Sequence, residues 1–144
     1  MPAILGAGEH RYRVVENWAK LPDGWAMPAA AVTVDSEDRV YCFNRTPDHP
    51  VVVFDRDGNY LSHWGAGLFA FPHTIRVDKH DHLWLVDRDH GQMYQFTLTG
   101  SLLRTIGTKG FRSDTGTTEL SSTAYTKITH SGNTRKAEPP ARVC

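Results

Sequence analysis

Histidine is the residue type in this chain whose placement first suggests chemistry. The sequence holds eight histidines, and one of them, His73, directly follows Phe71-Pro72. A neutral imidazole is a common zinc ligand, but a catalytic zinc generally needs three protein ligands and one open position. The chain has no other Pro-His pair. Taken alone, His73 is therefore better explained as a histidine in a turn.

Arginine offers a second kind of chemistry. Arg45 lies in the segment Asn44-Arg45-Thr46-Pro47, and a guanidinium group can bind a carboxylate through two parallel hydrogen bonds. Arg88 occupies the matching position about 43 residues later. Both arginines could therefore bridge adjacent structural units instead, and the residues alone leave the two interpretations open.

Two further clusters of polar residues are better explained as turns. The segment 55–59 starts like a calcium-binding loop, but Ala66 stands where that loop needs a bidentate glutamate. The segment 78–82 contains two histidines and two aspartates, yet it aligns with 35–39 in the other half of the chain. We expect both clusters to be solvated connections between strands.

Composition excludes several classes of function. The chain has 144 residues, with 16 basic and 16 acidic side chains, which leaves no electrostatic argument for nucleic acid or an anionic membrane. Cys42 and Cys144 form neither a metal-type pair nor a disulfide framework, and Cys42 is expected to be a small buried hydrophobe. The first residues resemble neither a signal peptide nor a membrane span, so a cytoplasmic location is expected.

An internal repeat determines the expected fold. Val32-Thr33-Val34-Asp35 corresponds to Ile75-Arg76-Val77-Asp78, and Arg39-Val40-Tyr41 corresponds to His82-Leu83-Trp84. A period of about 40 to 45 residues made of short strands is typical of propeller blades, each a four-stranded sheet. The sequence thus predicts an all-β partial β-propeller of two four-stranded blades, at 29–67 and 72–110.

The segments on either side of the blades differ in character. Residues 1–28 form an N-terminal segment with a strand over 12–15 that can supply an outer strand to close the ring. Residues 111–144 lack apolar alternation, and about a third of positions 113–144 are Ser or Thr, which predicts a disordered tail. The abrupt loss of the repeat after Gly110 suggests a truncated or frame-shifted copy of a longer protein.

The repeats carry a family resemblance. The segments Asp35–Tyr41 and Val52–Asn59 resemble NHL repeats. Val40–Arg45, followed by Leu68-Phe69-Ala70-Phe71-Pro72-His73-Thr74-Ile75, resembles peptidyl-α-hydroxyglycine α-amidating lyase and its bacterial relatives. The resemblance covers about residues 10–115, and it implies an N-terminal piece of about two blades from a six-bladed propeller.

That resemblance implies a set of site residues. The family's propeller holds one zinc and one calcium near its axis. His73 matches the first of three zinc-binding histidines, Val32 and Ile75 match positions whose backbone carbonyls bind calcium, and Arg45 matches a substrate-binding arginine. The implied reaction splits a peptidyl α-hydroxyglycine into a peptide amide and glyoxylate.

The resemblance also implies that this chain is inactive by itself. The other two histidines and the catalytic tyrosine lie in later blades of the family, and this sequence has no matching segments. Self-association or separate blades would be needed to complete a ring around a peptide or small amide substrate. Two alternatives stay open: a non-enzymatic NHL module that binds a protein or peptide, and a non-functional fragment that folds poorly.

Overall fold

The computed structural model describes residues 3–111, and these residues contain ten β-strands and no helix. The strands are short, as expected for segments bounded by Asp, Gly and Pro turns. Their bounds are β1 Ile4–Ala7, β2 His10–Arg13, β3 Ala29–Val34, β4 Val40–Asn44, β5 Val51–Phe54, β6 Tyr60–Trp64, β7 Pro72–Val77, β8 His82–Asp87, β9 Gln92–Thr97 and β10 Leu102–Ile106.

The last eight strands form two antiparallel sheets of four. Strands β3 to β6 follow one another in sequence order across the first sheet, and β7 to β10 do the same across the second. We call these sheets the first and second blade. Consecutive four-stranded meanders that pack face to face are the arrangement of neighbouring propeller blades. The predicted all-β fold of two four-stranded blades is confirmed.

A hydrophobic core lies between the two blades. Successive side chains of a strand point to opposite faces of the sheet, so alternate residues of β4 and β8 face this interface. The buried members come from both blades: Tyr41, Phe43, Val51, Val53, Ile75, Leu83, Leu85 and Phe96. Each blade alone is too thin to bury these side chains, so the fold of either blade depends on the other.

The opposite face of the first blade is covered by an irregular segment. Cys42, Val52 and Phe54 point to this side and are buried. The side chains packed over them come mainly from the stretch between Trp18 and Met27, and the backbone N–H of Lys20 donates to the carbonyl of Gly58. We call residues 18–27 the covering segment. The predicted burial of Cys42 is confirmed.

The first turn of each blade is built in the same way. Oδ1 of Asp35 accepts the backbone N–H groups of Glu37 and Arg39, and Oδ1 of Asp78 accepts those of His80 and His82. This Asx-type pairing folds the chain back within five residues. Oδ1 of Asp55 accepts the N–H groups of Asp57 and Asn59 in the same way, so the two acidic clusters at 55–59 and 78–82 are turns, as expected from the sequence.

The residues before the covering segment form a separate hairpin. Strands β1 and β2 pair with each other, from Ile4 with Arg13 to Ala7 with His10, and the strand expected over 12–15 begins two residues earlier. The role of residues 1–28 as a ring-closing segment stays a prediction. The tail predicted for 111–144 lies outside the described residues, apart from its first residue. Within the described part, no helix could cross a membrane.

Candidate functional site

Arg45 and Arg88 contact the same aromatic ring. The guanidinium carbon of Arg45 lies 4.2 Å from the centre of the Phe71 ring, and that of Arg88 lies 3.7 Å from it. Both distances are within the range of cation–π attraction, about 6 Å. The two arginines follow β4 and β8 at equivalent positions of the repeat, so the stacked blades bring them to one end of the sheets. Phe71 joins the two blades there.

Hydrogen bonds fix the backbone at Phe71, whose ring contacts both arginines. The Asp87 carboxylate is fully buried and accepts the N–H groups of Ala70, at 2.6 Å, and Phe71, at 3.1 Å. The N–H of Arg88 donates to the Phe71 carbonyl at 3.1 Å. In the first blade, the N–H of Arg45 donates to the carbonyl of Pro28 at 3.3 Å. In each repeat, the arginine therefore donates its backbone N–H to the carbonyl of the residue at the equivalent position.

The charges around the two arginines differ. The Arg88 Nε donates to Asp89 Oδ1 at 2.8 Å, and this hydrogen bond raises the pKa of Arg88. No carboxylate pairs with Arg45 among residues 3–111. Both arginine residues are exposed, and at least the guanidinium of Arg45 is available to an anion from solution.

His73 lies two residues from Phe71, on the inner edge of the second blade. It is exposed and follows the buried Pro72, and its Nδ1 is 3.1 Å from the Thr74 hydroxyl. The β7–β8 register shifts between Pro72 and Thr74, so the strand is irregular where the histidine stands. Within residues 3–111, no three His, Cys, Asp or Glu side chains meet as a metal-binding group.

Val32 and Ile75 lie on neighbouring edge strands. Strands β3 and β7 each begin a blade, and the N–H of Val77 donates across the blade boundary to the Thr33 hydroxyl at 3.1 Å. An edge strand leaves part of its backbone N–H and C=O groups outside the sheet's own hydrogen bonds. The Val32 side chain is 55% exposed and Ile75 only 1%, since the first blade covers Ile75. The calcium role of these two carbonyls stays a prediction.

The described residues do not supply a complete zinc site. His73 has no second or third ligand of the His, Cys, Asp or Glu type grouped with it among residues 3–111. A zinc held through His73 would take its other ligands from outside this part of the chain. Zinc and calcium binding both stay predictions.

The carboxylates at the blade turns have mainly structural partners. Burial alone would raise the pKa of Asp35, but hydrogen bonds from Arg39, Glu37 and Tyr41 together lower it. The backbone N–H of His82 and the indole of Trp84 hold the pKa of Asp78 well below its usual range. Burial raises the pKa of the Tyr41 phenol to about 12. The two carboxyl groups are therefore charged and the Tyr41 phenol is neutral, and in these states their hydrogen bonds stabilise the turns.

An aromatic and histidine cluster lies where the covering segment meets the first blade. The indole of Trp25 stacks on the His49 ring, with centroids 3.7 Å apart, and meets His63 edge-on at 4.9 Å. The Tyr60 hydroxyl is 2.7 Å from His63 Nδ1. These contacts anchor residues 18–27, and the sequence gives no periodic signal for them because they join an irregular segment to β6 and to the β4–β5 connection.

Sequence reasoning identified Arg45 and His73 but missed Phe71 and Asp87 as parts of the same site. In the sequence, Phe71 stands out only as the residue before Pro72-His73. Its shared contact with two arginines requires the stacking of the blades. The equivalence of Arg45 and Arg88 in the repeat is the one sequence signal that pointed toward it.

Comparison with known proteins gives no family for this chain. No protein-family model matches it, and no curated protein does. Among solved structures, it is similar to selenomethionine-substituted virginiamycin B lyase from Staphylococcus aureus, with 10% sequence identity and a TM-score of 0.46. The match covers 62% of this chain and 28% of the other. The chain therefore spans little more than a quarter of the length of that structure.

Proposed function

We propose that this chain is part of an NHL-type propeller related to zinc-dependent α-amidating lyases, and that it supplies the carboxylate-binding part of the substrate site. The proposal includes that the chain alone does not carry out C–N bond cleavage; residues 3–111 contain no complete metal-binding group of the His, Cys, Asp or Glu type. Further blades, or further copies of this chain, would complete the site. The intact protein's substrate would be a peptide or small amide that ends in an α-hydroxyglycine.

One observation carries this proposal. Arg45 is exposed, is unpaired with any carboxylate among residues 3–111, and stacks on Phe71 at 4.2 Å, two residues before His73. A substrate carboxylate bound to Arg45 would lie at the same end of the blades as the Phe-Pro-His segment. Bidentate guanidinium–carboxylate pairing fixes the orientation of the bound group as well as its position. Arg45 would thus orient the substrate rather than react with it.

Zinc binding by the full chain tests the lyase relationship. Zinc content after dialysis is measured for the wild type, His73→Ala and His80→Ala. The control His80 is also exposed, but lies in the β7–β8 turn at the other end of the blades. We expect the wild type and His80→Ala to retain zinc when copies associate, and His73→Ala to lose it. Light scattering on the same samples gives the number of copies per metal.

A folded chain that holds no zinc at any protein concentration would overturn the proposal that copies of this chain complete the zinc site. It would favour the second candidate, a non-enzymatic module that binds a peptide through its exposed surface. The exposed arginines that contact Phe71 favour this candidate specifically, since a peptide's terminal carboxylate could bind there without a metal. Circular dichroism typical of a β-sheet protein is required before either conclusion is drawn.

A further inference from the structure

The outer side of the first blade leaves two valines of β3 exposed. Val32 pairs with Cys42 across the sheet, so it lies on the side that the covering segment packs on. Nevertheless, Val32 and Val34 are 55% and 50% exposed. Their repeat equivalents in β7 pack against the first blade, where Ile75 is 1% exposed and Val77 is half-buried. The covering segment therefore shields only part of this side, and β3 keeps an uncovered apolar surface within residues 3–111.

The second blade has a matching open side, on which Trp84 and Val86 are half-buried. Their repeat equivalents, Tyr41 and Phe43, are 2% and 0% exposed, because they pack with residues of the second blade. Within residues 3–111, the molecule therefore contains one formed interface between blades and a second copy of each of its halves without a partner. A second copy of this chain carries the missing half for each open side.

Charges at the first turn of each blade also fit a contact between copies. Ser36 of the first blade donates its N–H to Asp81 Oδ1 of the second at 3.2 Å, and its hydroxyl to Asp81 Oδ2. The repeat equivalents of these two residues are Lys79 and Asp38, both exposed. The same contact between copies would place the Lys79 ammonium opposite the Asp38 carboxylate. The present partner of Asp38 is Arg56, at 3.9 Å on the surface, and such a pairing contributes little.

We propose that the open side of the second blade binds the outer side of the first blade in a second copy of this chain. The valines of β3 would then be covered as their equivalents in β7 are. The inference names the partner that the proposed function leaves open, but it rests on the contacts between blades and needs neither zinc nor substrate. The opposing interpretation is that residues 112–144 of the same chain occupy these surfaces, in which case the protein stays monomeric.

One difference from the interface within the chain sets the expected strength of the contact. Thr33 accepts the N–H of Val77 across the blades, at 3.1 Å. At the matching position of the open side stands Arg76, which is exposed and pairs with Trp84 in the sheet. A guanidinium cannot accept this hydrogen bond, and its charge has to stay in contact with water. We therefore expect a reversible association, which Arg76→Thr strengthens about fivefold, the contribution of one hydrogen bond.

Sedimentation velocity of the full chain, across a wide range of protein concentration, measures this association. Val32→Asp would bury a carboxylate without a partner at the contact, and it is expected to weaken association about a hundredfold. Ile4→Ser is the control, because Ile4 is 67% exposed but lies in the separate β1–β2 hairpin. The control is expected to associate as the wild type does.

A charge exchange identifies the two surfaces that meet. Lys79→Glu and Asp38→Lys each place like charges at every contact between identical copies, and each is expected to weaken association about tenfold. In an equal mixture of the two variants, every contact between unlike copies pairs opposite charges again, so the mixture is expected to associate as the wild type does. Impaired folding of a variant cannot produce this recovery. Circular dichroism and the urea midpoint show that each variant folds.

The outcomes separate this inference from the proposed function. A wild type that stays monomeric at every concentration overturns the inference, and the proposed function then depends on further blades instead of further copies. Association that neither Val32→Asp nor Lys79→Glu weakens, or that the mixture does not recover, overturns the two surfaces assigned to it. Association that follows these expectations without bound zinc supports the inference, while the zinc content of the wild type and His73→Ala tests the lyase relationship separately.

Discussion

Gly100 lies directly against the indole ring of Trp64, across the interface between the two blades. A Cβ atom added to Gly100 would stand 2.7 Å from Trp64 Cδ2, closer than packed atoms can approach. The equivalent Gly58 of the first blade meets Trp18 of the covering segment instead, where the added Cβ would stand 1.9 Å from the Trp18 carbonyl oxygen. Each blade thus receives a tryptophan at its outer turn from the chain that precedes it.

Gly100→Ala is expected to destabilise the fold by about 2 to 4 kcal/mol. The methyl group would displace the Trp64 indole, and the residue's φ of +90° would strain an L side chain. Gly67→Ala is the control, because its φ is also positive, at +70°, but no atom lies within 4 Å of its added Cβ. The free energies of unfolding in urea are compared. Equal losses for the two variants would contradict the packing role of Gly100.

Asp87 and Asn44 occupy equivalent positions, yet they are not expected to be interchangeable. The buried Asp87 carboxylate accepts four backbone N–H groups, from Ala70, Phe71, Asp89 and His90. The Asn44 amide instead donates to the His49 carbonyl at 2.7 Å. Asp87→Asn would turn a donor toward donors, and Asn44→Asp would place a charge beside a carbonyl oxygen.

We expect each of these two exchanges to cost about 2 to 4 kcal/mol in free energy of unfolding, the penalty for leaving buried polar groups unpaired. Asp57→Asn, in the exposed turn after β5, is the control for a carboxylate-to-amide change at the surface. Urea unfolding monitored by tryptophan fluorescence measures all three variants. A stability equal to that of the wild type for either exchange would show that the blades tolerate both side chains at this position.

Stability is expected to fall as the solution becomes acidic. The folded state lowers the pKa of Asp35 and of Asp78, so their contributions are present above the unfolded value of about 4. Those contributions are lost as the pH falls through the lower folded values. The urea midpoint should therefore decrease below about pH 4. Trp84→Phe removes the indole donor to Asp78, 2.9 Å away, and is expected to make this decrease shallower.

Two results of the same pH series would contradict this prediction. If the wild-type midpoint is constant between about pH 5 and pH 2, the hydrogen bonds at the two blade turns do not stabilise the charged carboxylates. If Trp84→Phe shows the same slope as the wild type, the indole contributes nothing to the pKa of Asp78.

Cys42 is expected to be unreactive in the folded protein. Its side chain faces the covering segment and the residue is only 6% exposed, and burial raises the pKa of the thiol to about 11. At pH 8 only about one thiol in a thousand would then be the reactive thiolate. In a Cys144→Ser variant, a disulfide reagent should modify Cys42 rapidly in urea and barely at all without it. Equally fast modification in both conditions would mean that the covering segment does not protect this face.

The strands of the blades were predictable because their patterns are local. The sequence predicts strands over 40–44, 60–64, 92–97 and 102–106, which are the bounds of β4, β6, β9 and β10 in the structure, because each of these runs is bounded by Gly, Asp or Pro turn residues that can be recognised locally. β1 was missed because Ile4–Ala7 lies on the surface and has no buried side to create a pattern. The covering segment was missed for a related reason: its contacts come from an irregular backbone without a period.

The candidate site was predictable only in part. His73 and Arg45 were identified by resemblance to a family, and the repeat showed that Arg88 matches Arg45. Nothing local shows that Phe71 contacts both arginines, because that contact depends on the stacking of two blades. The partners of Asp87 were equally hidden, since the sequence shows a carboxylate at the end of a strand and not the backbone groups that surround it.

The covering segment makes the two flanks of the blade pair different from each other. Residues 18–27 already pack on the outer part of one flank of the blade pair. On the opposite flank, within residues 3–111, Trp84 and Val86 are half-buried and Met93 is exposed. Unlike flanks cannot meet each other by a twofold rotation, and head-to-tail contacts between unlike surfaces lead to rings or to open chains. Any additional sheet that packs as the second blade packs on the first would therefore join in series, on the Trp84 side.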